Sequence, residues 1–550
     1  MKSTLYIALA AAALSLSTMS CTDLDVDIDS QYTEFPTSQR AAEAISAEVY
    51  AAYRGAVGYN RWMTQTLSSD EAVSLSLGTD YYDGGRFREL HVHNWTADNP
   101  ILPDLWNGAM TGINLANNVL SIFADDESER SAPIRAIRAY YYFMLMDNFG
   151  DVPLITGKVD HVPDRSSRAE ICEFIESELL AVMDKLPTEV SAATYGKSTR
   201  YMAEALLAKL YLNWAVYKSP DVANYTPSMP NEKLNAVVAM CDDIIASGKF
   251  NLDSHKFLEK FRPDNGPQIK DFIFAMPFDR QKQRGMTFAR FWTHRSAQNQ
   301  FAALPSSVGG TFRVLPEFLD KFHLDGDERN NMYIGGKQYY WSNYSEDLNR
   351  PFLIKTSKKG IDQDYDGADA DEIFDWQLEF SKEISLRPGG EATLDGGNDQ
   401  KGRSMGYRSV KFYMDVNVTA ADERSQSNDV PIFRYADVLL MKAEAILRGA
   451  TPTNGQTPES LINQVRSYVN AELLNHPASL EDLLDERARE FTDEGWRRND
   501  LIRFGMFEND WGFKYLYPAG KSEKFRRIFP IPTTVLNVNT HWQQNQGYNN

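Results

Sequence analysis

Apolar residues recur every three or four positions through most of the first 250 residues, which is the spacing of one face of an α-helix. Gly150, Pro187 and Gly248 each directly follow one of these stripes, where residues that end helices are common. The stripes predict helices over 39–55, 105–123, 132–149, 168–186, 198–217 and 232–247. The pattern therefore predicts a mainly α-helical fold.

The pattern changes between about 250 and 430. Long helical stripes disappear, glycine, asparagine, aspartate and aromatic residues become frequent, and 271–278 (DFIFAMPF) is typical of a strand. We interpret 251–430 as a loop-rich insert with short strands, placed between an N-terminal helical region over 39–250 and a C-terminal one over 431–550. Irregular segments of this length are uncommon unless they bind something.

Two helical segments on either side of the insert resemble each other. AEALLAKLYLNW at 203–214 and ADVLLMKAEAIL at 436–447 share alanine, leucine and lysine at matching positions, including Lys209 and Lys442. Small residues at such positions let helices approach closely, as in helical-hairpin repeats of the tetratricopeptide type. No strict 34-residue period is present, so any such array is degenerate.

The N-terminus predicts export. An apolar run from Leu5 to Leu16 is too short to cross a hydrocarbon core of about 30 Å, and follows Lys2, as in a cleaved signal peptide (1–20). The sequence STMSC, which ends at Cys21, resembles a bacterial lipobox, so we expect acyl chains on Cys21 and an acidic tether over 21–38. The alternative is an ordinary signal-peptidase site with an incidental cysteine.

The composition of the chain limits the classes of partner that it can bind. The chain has 550 residues and a formal net charge of −19, which repels nucleic acid and anionic lipid. Neutral ligands fit this surface better. Besides Cys21, the cysteines are Cys172 and Cys241, which both lie in apolar helical patterns, so we expect two buried thiols and not a disulfide.

Metal sites have weak support. His91 and His93 could face one ion, but no third ligand is spaced to join them, and polar surface or ligand contact is the favoured interpretation. The stretch 362–372 opens like a calcium loop with Asp362, Asp364 and Asp366, but its twelfth position is Ile373 where a bidentate glutamate is expected. The sequence implies no cofactor, and calcium at this loop stays an open alternative to a solvated acidic turn.

Five blocks of sequence resemble the SusD/RagB family of surface lipoproteins, in the same order. They lie at 134–154, 198–217, 430–447, 483–505 and 526–548. The resemblance implies a non-catalytic nutrient-binding protein, anchored by lipid in the outer membrane and facing the exterior. It also implies a SusC-like TonB-dependent transporter as partner, and a glycan as ligand, with peptide as the alternative.

The fourth block contains a ladder of acids that could suggest catalysis. Glu486, Glu490 and Glu494 fall at i, i+4 and i+8 with arginines between them. A glycosidase pair requires carboxyl groups about 5 to 9.5 Å apart, which helix neighbours meet trivially. Neighbouring guanidinium groups disfavour the protonated form that a general acid needs. We therefore interpret the ladder as a structural ion-pair network, with a surface hydrolase as the weakest hypothesis.

Sugar sites combine flat aromatic rings with planar polar side chains. Five tryptophans lie outside clear helical stripes, namely Trp62, Trp95, Trp292, Trp341 and Trp376. Family members that bind glycans use the early region and the middle insert for an aromatic arc, so the resemblance implies the same arrangement here. The candidate ligand-binding residues are Asp80, Tyr81, Tyr82, Arg86, Asn94 and Trp95 in the early region, and Trp292, Tyr339 and Trp341 in the insert.

Overall fold

Helices are the main regular element of the described structure. A computed structural model describes residues 46–123, 128–301, 308–361 and 372–548, so Cys21, the tether and Asp362, Asp364 and Asp366 lie outside the described residues. The longer helices are α1 (Arg61–Leu67), α2 (Arg86–Val92), α3 (Leu102–Phe123), α4 (Ala132–Phe149), α5 (Arg168–Val182), α6 (Arg200–Leu212), α7 (Leu234–Ala246), α8 (Tyr435–Leu447), α9 (Pro458–Tyr468), α10 (Leu480–Phe491) and α11 (Arg497–Arg503). Shorter helices are Trp214–Lys218, Phe288–Trp292, Pro316–Leu319, Gln400–Ser404 and Thr533–Leu536.

Most helix ends agree with the periodicity. Helix α4 covers the predicted 132–149, and α5 begins with a capping box in which Ser167 and Glu170 bind each other's backbone N–H. The single helix predicted over 198–217 is wrong, because α6 ends at Leu212. The Asn213 side chain donates to the carbonyl of Lys209 at 3.0 Å, which turns the chain before the helix resumes.

The helices pack as successive hairpins that continue across the insert. Helices α3, α4 and α5 pack in sequence order, α6 packs on α7, and α8 packs on both α6 and α7 before contacting α9 and α10. The two similar segments contact each other through buried Lys209, whose Nζ lies 2.7 Å from Asp437 on α8. Lys442, at the matching place in α8, pairs with Asp242 on α7 at 2.5 Å. This arrangement confirms the expected tetratricopeptide-like helical-hairpin scaffold.

The strands are short and pair two at a time. The antiparallel pairs are β1 (Ala72–Ser74) with β5 (Phe312–Val314), β2 (Val152–Pro153) with β3 (Arg165–Ser166), β4 (Phe272–Met276) with β14 (Val430–Arg434), β6 (Tyr333–Ile334) with β13 (Arg408–Ser409), β7 (Gly336–Lys337) with β12 (Glu379–Phe380), β8 (Tyr339–Ser342) with β9 (Ser345–Pro351), and β10 (Leu353–Ser357) with β11 (Ile373–Gln377). The strand predicted over 271–278 is confirmed as β4. Its pairing with β14 brings the two ends of the insert together beside α8.

The insert has an apolar core of its own. Phe301, Phe352, Leu378 and Phe380 are buried there, and Trp341 packs against them. Cys172 and Cys241 are buried free thiols, as the sequence predicts. Among the described residues, no helix combines the length and apolar character that crossing a bilayer requires.

Candidate functional site

The acids of α10 belong to a buried network of ion pairs. Arg434 Nη1 lies 2.7 Å from Glu490 Oε1, and Arg434 Nη2 lies 2.8 Å from Glu494 Oε1. Arg329 pairs with the other oxygen of Glu490 at 3.0 Å and with Glu486 at 2.7 Å. These side chains are at most 2% exposed, so no substrate reaches them in this conformation.

Electrostatics also exclude general-acid chemistry at Glu486, the first acid of this ladder. Burial alone would raise the pKa of Glu486, but the charges of Arg329, Arg489 and Arg466 outweigh it and lower that pKa to about 2. A general acid must hold its proton at the working pH. The interpretation of the ladder as a structural network is therefore confirmed.

A loop in left-handed conformation presents two tyrosines at the surface. We call residues 79–86 the tyrosine loop. Tyr81 and Asp83, although not glycines, have φ angles of 62° and 49°, and Gly84 follows at 71°. Such angles cost a non-glycine residue of order 1 kcal/mol and are often found at functional sites. Tyr82 is 38% exposed and Tyr81 is partly exposed, so both rings are available to a ligand.

The insert holds the tyrosine loop in place. Arg295 Nη1 donates to Asp80 Oδ2 at 2.8 Å, and this bond raises the pKa of Arg295. The Arg295 guanidinium lies 6.0 Å from the centroid of the Tyr81 ring. The same ring lies against Gly309, where an added β-carbon would come within 3.0 Å of it. Two parts of the insert therefore fix the position of Tyr81.

Arg86 flanks this loop, whereas Asn94 follows the other end of α2. Arg86 Nη2 lies 2.9 Å from Asp83 Oδ2, and its guanidinium stacks 4.8 Å from the ring of Phe87. Asn94 is half-buried, and its side-chain oxygen is buried without a hydrogen-bond partner among the described residues. Arg86 can therefore offer a polar contact beside the tyrosines, whereas Asn94 lies apart from them.

Trp95 and Trp292 lie in the core. Trp95 is 1% exposed and donates from its indole to the Tyr548 hydroxyl at 2.8 Å. Trp292 is 3% exposed and donates to Asp493 Oδ1 at 3.2 Å, an oxygen that also accepts from Trp62 at 3.0 Å. Protein covers both rings, so neither Trp95 nor Trp292 is exposed to stack on a ligand in this conformation.

A second aromatic group lies on β8 and the turn after it. Trp341 packs 5.6 Å from the Tyr413 ring, and Tyr344, which is 38% exposed, packs 4.7 Å from the same ring. The Arg262 guanidinium stacks 4.0 Å from Tyr344. Tyr339, on the same strand, is half-buried. We call Trp341 and Tyr344 the insert face.

One segment contacts both aromatic groups. In the segment 290–301, Arg295 binds the tyrosine loop, whereas Phe301 packs 5.4 Å from Trp341 and Gln300 donates to the backbone oxygen of Tyr339 at 2.9 Å. The predicted early and middle segments are therefore joined through the insert and not through the helical scaffold.

The two histidines are not at the surface. His91 is 0% exposed and accepts from the Phe513 N–H at 3.0 Å, while His93 is 1% exposed and its Nε2 lies 3.0 Å from the Ser68 carbonyl. Burial lowers the pKa of His91 to about 3. The expectation that they form polar surface or contact ligand is wrong, because both rings complete the core.

No metal site is apparent in the described part of the chain. Three or more histidine, cysteine, aspartate or glutamate side chains do not come together there in an arrangement that could hold an ion. The candidate calcium ligands Asp362, Asp364 and Asp366 lie outside the described residues. Calcium at this loop stays a prediction.

Two clefts lie away from the aromatic groups. One of about 390 Å³ is lined by Asp151, Lys218 and Asn545, and another of about 320 Å³ by His323 and Asp482. Neither is lined by the tyrosine loop or the insert face.

Two arginines near the tyrosine loop are absent from the sequence prediction. Arg290 is close enough to Tyr81 and Asp83 for their charges to act on it, and Arg403 is similarly close to Asp80 and Arg295. Arg290 lies two positions before Trp292, a candidate that the sequence does identify, so its position carried a signal. Arg403 comes from a glycine-rich stretch whose pattern gave none.

Comparison with known proteins identifies the family. A family model described as "SusD family" matches residues 270–548, and one described as "Starch-binding associating with outer membrane" matches residues 23–212. The starch-binding protein SusD of Bacteroides thetaiotaomicron is 24% identical over 438 residues, which are 76% of this chain and 72% of that protein. The SusD-like protein P38 of Formosa agariphila is 23% identical, over 75% of this chain and 73% of that protein.

Solved structures share the fold. A laminarin-binding SusD-like protein superposes with a TM-score of 0.66 at 20% identity, covering 93% of this chain and all of that one. Surface glycan-binding protein A from Bacteroides thetaiotaomicron, in complex with laminarihexaose, gives 0.65 at 17% identity, over 92% of this chain and all of that one.

These relatives are named as binding or SusD-like proteins and not as enzymes. The expectation of a non-catalytic protein agrees with these names, and Glu490 and Glu494, which are buried and paired, do not form a glycosidase pair. The chain belongs to the SusD family.

Proposed function

We propose that this chain binds oligosaccharide or polysaccharide at the outer membrane and delivers it to a SusC-type TonB-dependent transporter. The observation that carries the binding proposal is the tyrosine loop, in which Tyr81 and Tyr82 are presented on open surface and Arg295 holds Asp80 beside them at 2.8 Å. Flat rings next to planar polar groups match the C–H faces and hydroxyl rims of sugars.

The insert face is a second candidate contact for the glycan. Tyr344 is exposed and Trp341 is partly exposed, and the segment 290–301 that binds the tyrosine loop also packs on Trp341. The relatives named for starch and laminarin support a glycan as the ligand class.

Capture needs no covalent step. Each aromatic contact contributes about 0.5–1.5 kcal/mol beyond the buried area, which suits micromolar to millimolar affinity. Weak binding serves delivery, because the sugar must leave for the transporter. A stable complex with that transporter must bury more than about 1,000 Å² of surface.

Membrane attachment rests on the sequence. Acylation of Cys21 would anchor the chain, and the acidic tether over 21–38 would hold the folded part away from the bilayer, facing the exterior. The match of residues 23–212 to a family described as associating with the outer membrane supports this location.

Retention in native gels that contain polysaccharide tests the binding proposal. The panel comprises starch, laminarin, polygalacturonate and dextran sulfate, run with the native chain, Tyr82→Ala, Tyr344→Ala and the control Tyr515→Ala. Tyr515 is 56% exposed and lies in neither aromatic group, so its loss should leave retention unchanged. We expect retention on at least one glycan, weakened by Tyr82→Ala.

Two results would overturn the proposal. One is migration unaffected by every glycan while a peptide digest binds, which would favour the peptide alternative. The other is release of reducing ends by the purified chain, which would restore the hydrolase hypothesis.

A further inference from the structure

Two fully buried arginines donate hydrogen bonds to the backbone of a third arginine, Arg403, which lies beside the tyrosine loop. Arg313 and Arg408 are 0% exposed, and each donates to the backbone carbonyl of Arg403, at 3.1 Å and 2.7 Å. Their other hydrogen bonds also go to backbone carbonyls. Arg313, for example, donates to the carbonyls of Gly310 and Phe312. The main chain at Arg403 is therefore held by two guanidinium groups.

These arginines have no carboxylate partner. Among the described residues, no aspartate or glutamate oxygen lies within ion-pair distance of Arg313, Arg408, Arg403 or Arg290. A buried charge without a counter-ion is costly, and most buried arginines of this chain, such as Arg434, are paired with acids. Burial lowers the pKa of Arg313 only to about 9, which leaves it charged at neutral pH.

The positive charge continues to the surface at the aromatic rings. Arg290 and Arg403 are partly exposed. The Arg290 carbonyl accepts from the N–H of Gly309, the glycine that lies against the Tyr81 ring, at 2.8 Å. Arg403 Nη2 donates to Asn398 Oδ1 at 2.6 Å, and the Asn398 side chain lies against Gly78, directly before the tyrosine loop. The nearby acids are mostly engaged already, since Asp80 binds Arg295 and Asp83 binds Arg86.

Asp399 is the remaining acid whose charge acts on Arg403. Its carboxylate caps the short helix Gln400–Ser404 by accepting from the Gly402 N–H at 2.7 Å. The local balance is thus positive, in a chain whose formal net charge is −19.

We propose that the ligand of the tyrosine loop is an anionic glycan, whose carboxylate or sulfate groups bind Arg290 and Arg403 while its rings stack on Tyr81 and Tyr82. This inference rests on the proposed function and specifies its substrate class. It revises the expectation, drawn from the overall charge, that a neutral ligand fits best. Over a Debye length of about 8–10 Å, local charge and not the net charge decides binding.

Arginine suits both anions. Its planar guanidinium forms two parallel hydrogen bonds to a carboxylate or a sulfate, and it keeps its charge at all physiological pH values. A uronic acid polymer and a sulfated polymer therefore present the same chemistry to this surface.

Ligand pairs that differ in charge, together with arginine variants, distinguish recognition of the ligand's charge from recognition of its sugar rings. The ligands are polygalacturonate against its fully methyl-esterified form, and dextran sulfate against dextran, with laminarin as a neutral glycan. The variants are Arg290→Gln and Arg403→Gln, with Arg200→Gln as control, because Arg200 is partly exposed on α6 and its ion pairs are with Asp184 and Glu204 and not with the tyrosine loop. Thermal unfolding of each variant checks that it is folded.

We expect retention on polygalacturonate or dextran sulfate but not on the neutral counterpart, with affinity lowered about fivefold or more by Arg290→Gln or Arg403→Gln. Binding should weaken as NaCl is raised from 0.05 M to about 0.5 M, and Arg200→Gln should behave like the native chain. The polymer that retains the chain shows whether carboxylate or sulfate groups are recognised.

The experiment distinguishes a failure of this inference from a failure of the proposed function. Retention on laminarin or dextran alone, insensitive to salt and to both arginine variants, would overturn this inference and leave the proposed function standing. Retention on none of the glycans would overturn both.

Discussion

Arg295 in the insert and Asp80 in the tyrosine loop form a hydrogen bond of 2.8 Å between residues 215 positions apart in the sequence. The bond joins the proposed ligand surface to the segment 290–301, which also contacts the insert face through Phe301. The insert thus positions the aromatic rings, while the helical scaffold supports the insert.

Replacing Arg295 should affect binding more than stability. The two side chains are 41% and 51% exposed, and exposed pairs contribute less than about 1 kcal/mol. We expect Arg295→Gln to keep its free energy of unfolding in urea within that amount, while its affinity for the retained glycan falls severalfold as Asp80 and Tyr81 lose their fixed positions. A loss of folding without any change in affinity would assign the pair to the scaffold instead.

A methyl group at Gly309 should displace Tyr81. The added β-carbon would lie 3.0 Å from the ring, which is tighter than nearly all such contacts, so the ring must shift by a few tenths of an ångström. Gly309→Ala is therefore expected to weaken glycan affinity about threefold or more with little loss of thermal stability, as titration calorimetry and thermal unfolding would measure. Gly157→Ala is the control, because no atom lies within 4 Å of its added β-carbon; equal affinities for the two variants would contradict the role given to Tyr81.

Breaking the buried ion network should unfold the protein more readily. Arg434 lies within 2.8 Å of an oxygen of each of Glu490, Glu494 and Asp271. Arg434→Met therefore removes a charged partner from all three acids. Removing one member of such a network costs about 3–5 kcal/mol. Urea unfolding should show this loss, whereas Lys321→Gln, which removes a partly exposed pair with Asp485, should cost less than about 1 kcal/mol. Similar small losses for both would show that the network contributes little.

Asp429 should make stability fall as pH rises. Burial raises its pKa to about 7, although it accepts hydrogen bonds from the Phe278 N–H and the Tyr195 hydroxyl at 2.7 Å and 2.8 Å. A raised folded pKa gives a contribution that is complete below the unfolded value of about 4 and is lost by about pH 7.

Asp429→Asn removes the titrating group and can keep both contacts, because the amide oxygen accepts from the Phe278 N–H and the amide NH2 can donate to the Tyr195 hydroxyl. The melting temperature of the variant should therefore exceed that of the native chain at pH 8 by a few degrees and match it near pH 4. A constant difference between the two proteins across this pH range would contradict the assignment.

The sequence predicted what local periodicity determines. Helix α4 and strand β4 follow from spacing within a few residues, and the acids of α10 could be recognised as paired because arginines alternate with them. The same spacing could not place Trp95 or Trp292, whose indole partners lie 453 and 201 residues away. Both rings looked like surface platforms because the segments that cover them are distant in the sequence.

The charge of the ligand surface was hidden for a related reason. Arg403 comes near Asp80 only because Arg313 and Arg408 hold its backbone from β5 and β13, and no local pattern signals that contact. The overall charge of −19 pointed instead to a neutral ligand. Net charge describes the long-range field and not the sign at one site.

Titration calorimetry with the retained oligosaccharide tests the central claim most directly, using the native chain and the Tyr81→Ala/Tyr82→Ala double variant. The account predicts a micromolar to millimolar Kd for the native chain, a Kd at least about tenfold weaker for the double variant, and no change in the ligand after incubation. An equal Kd for a folded double variant would contradict it.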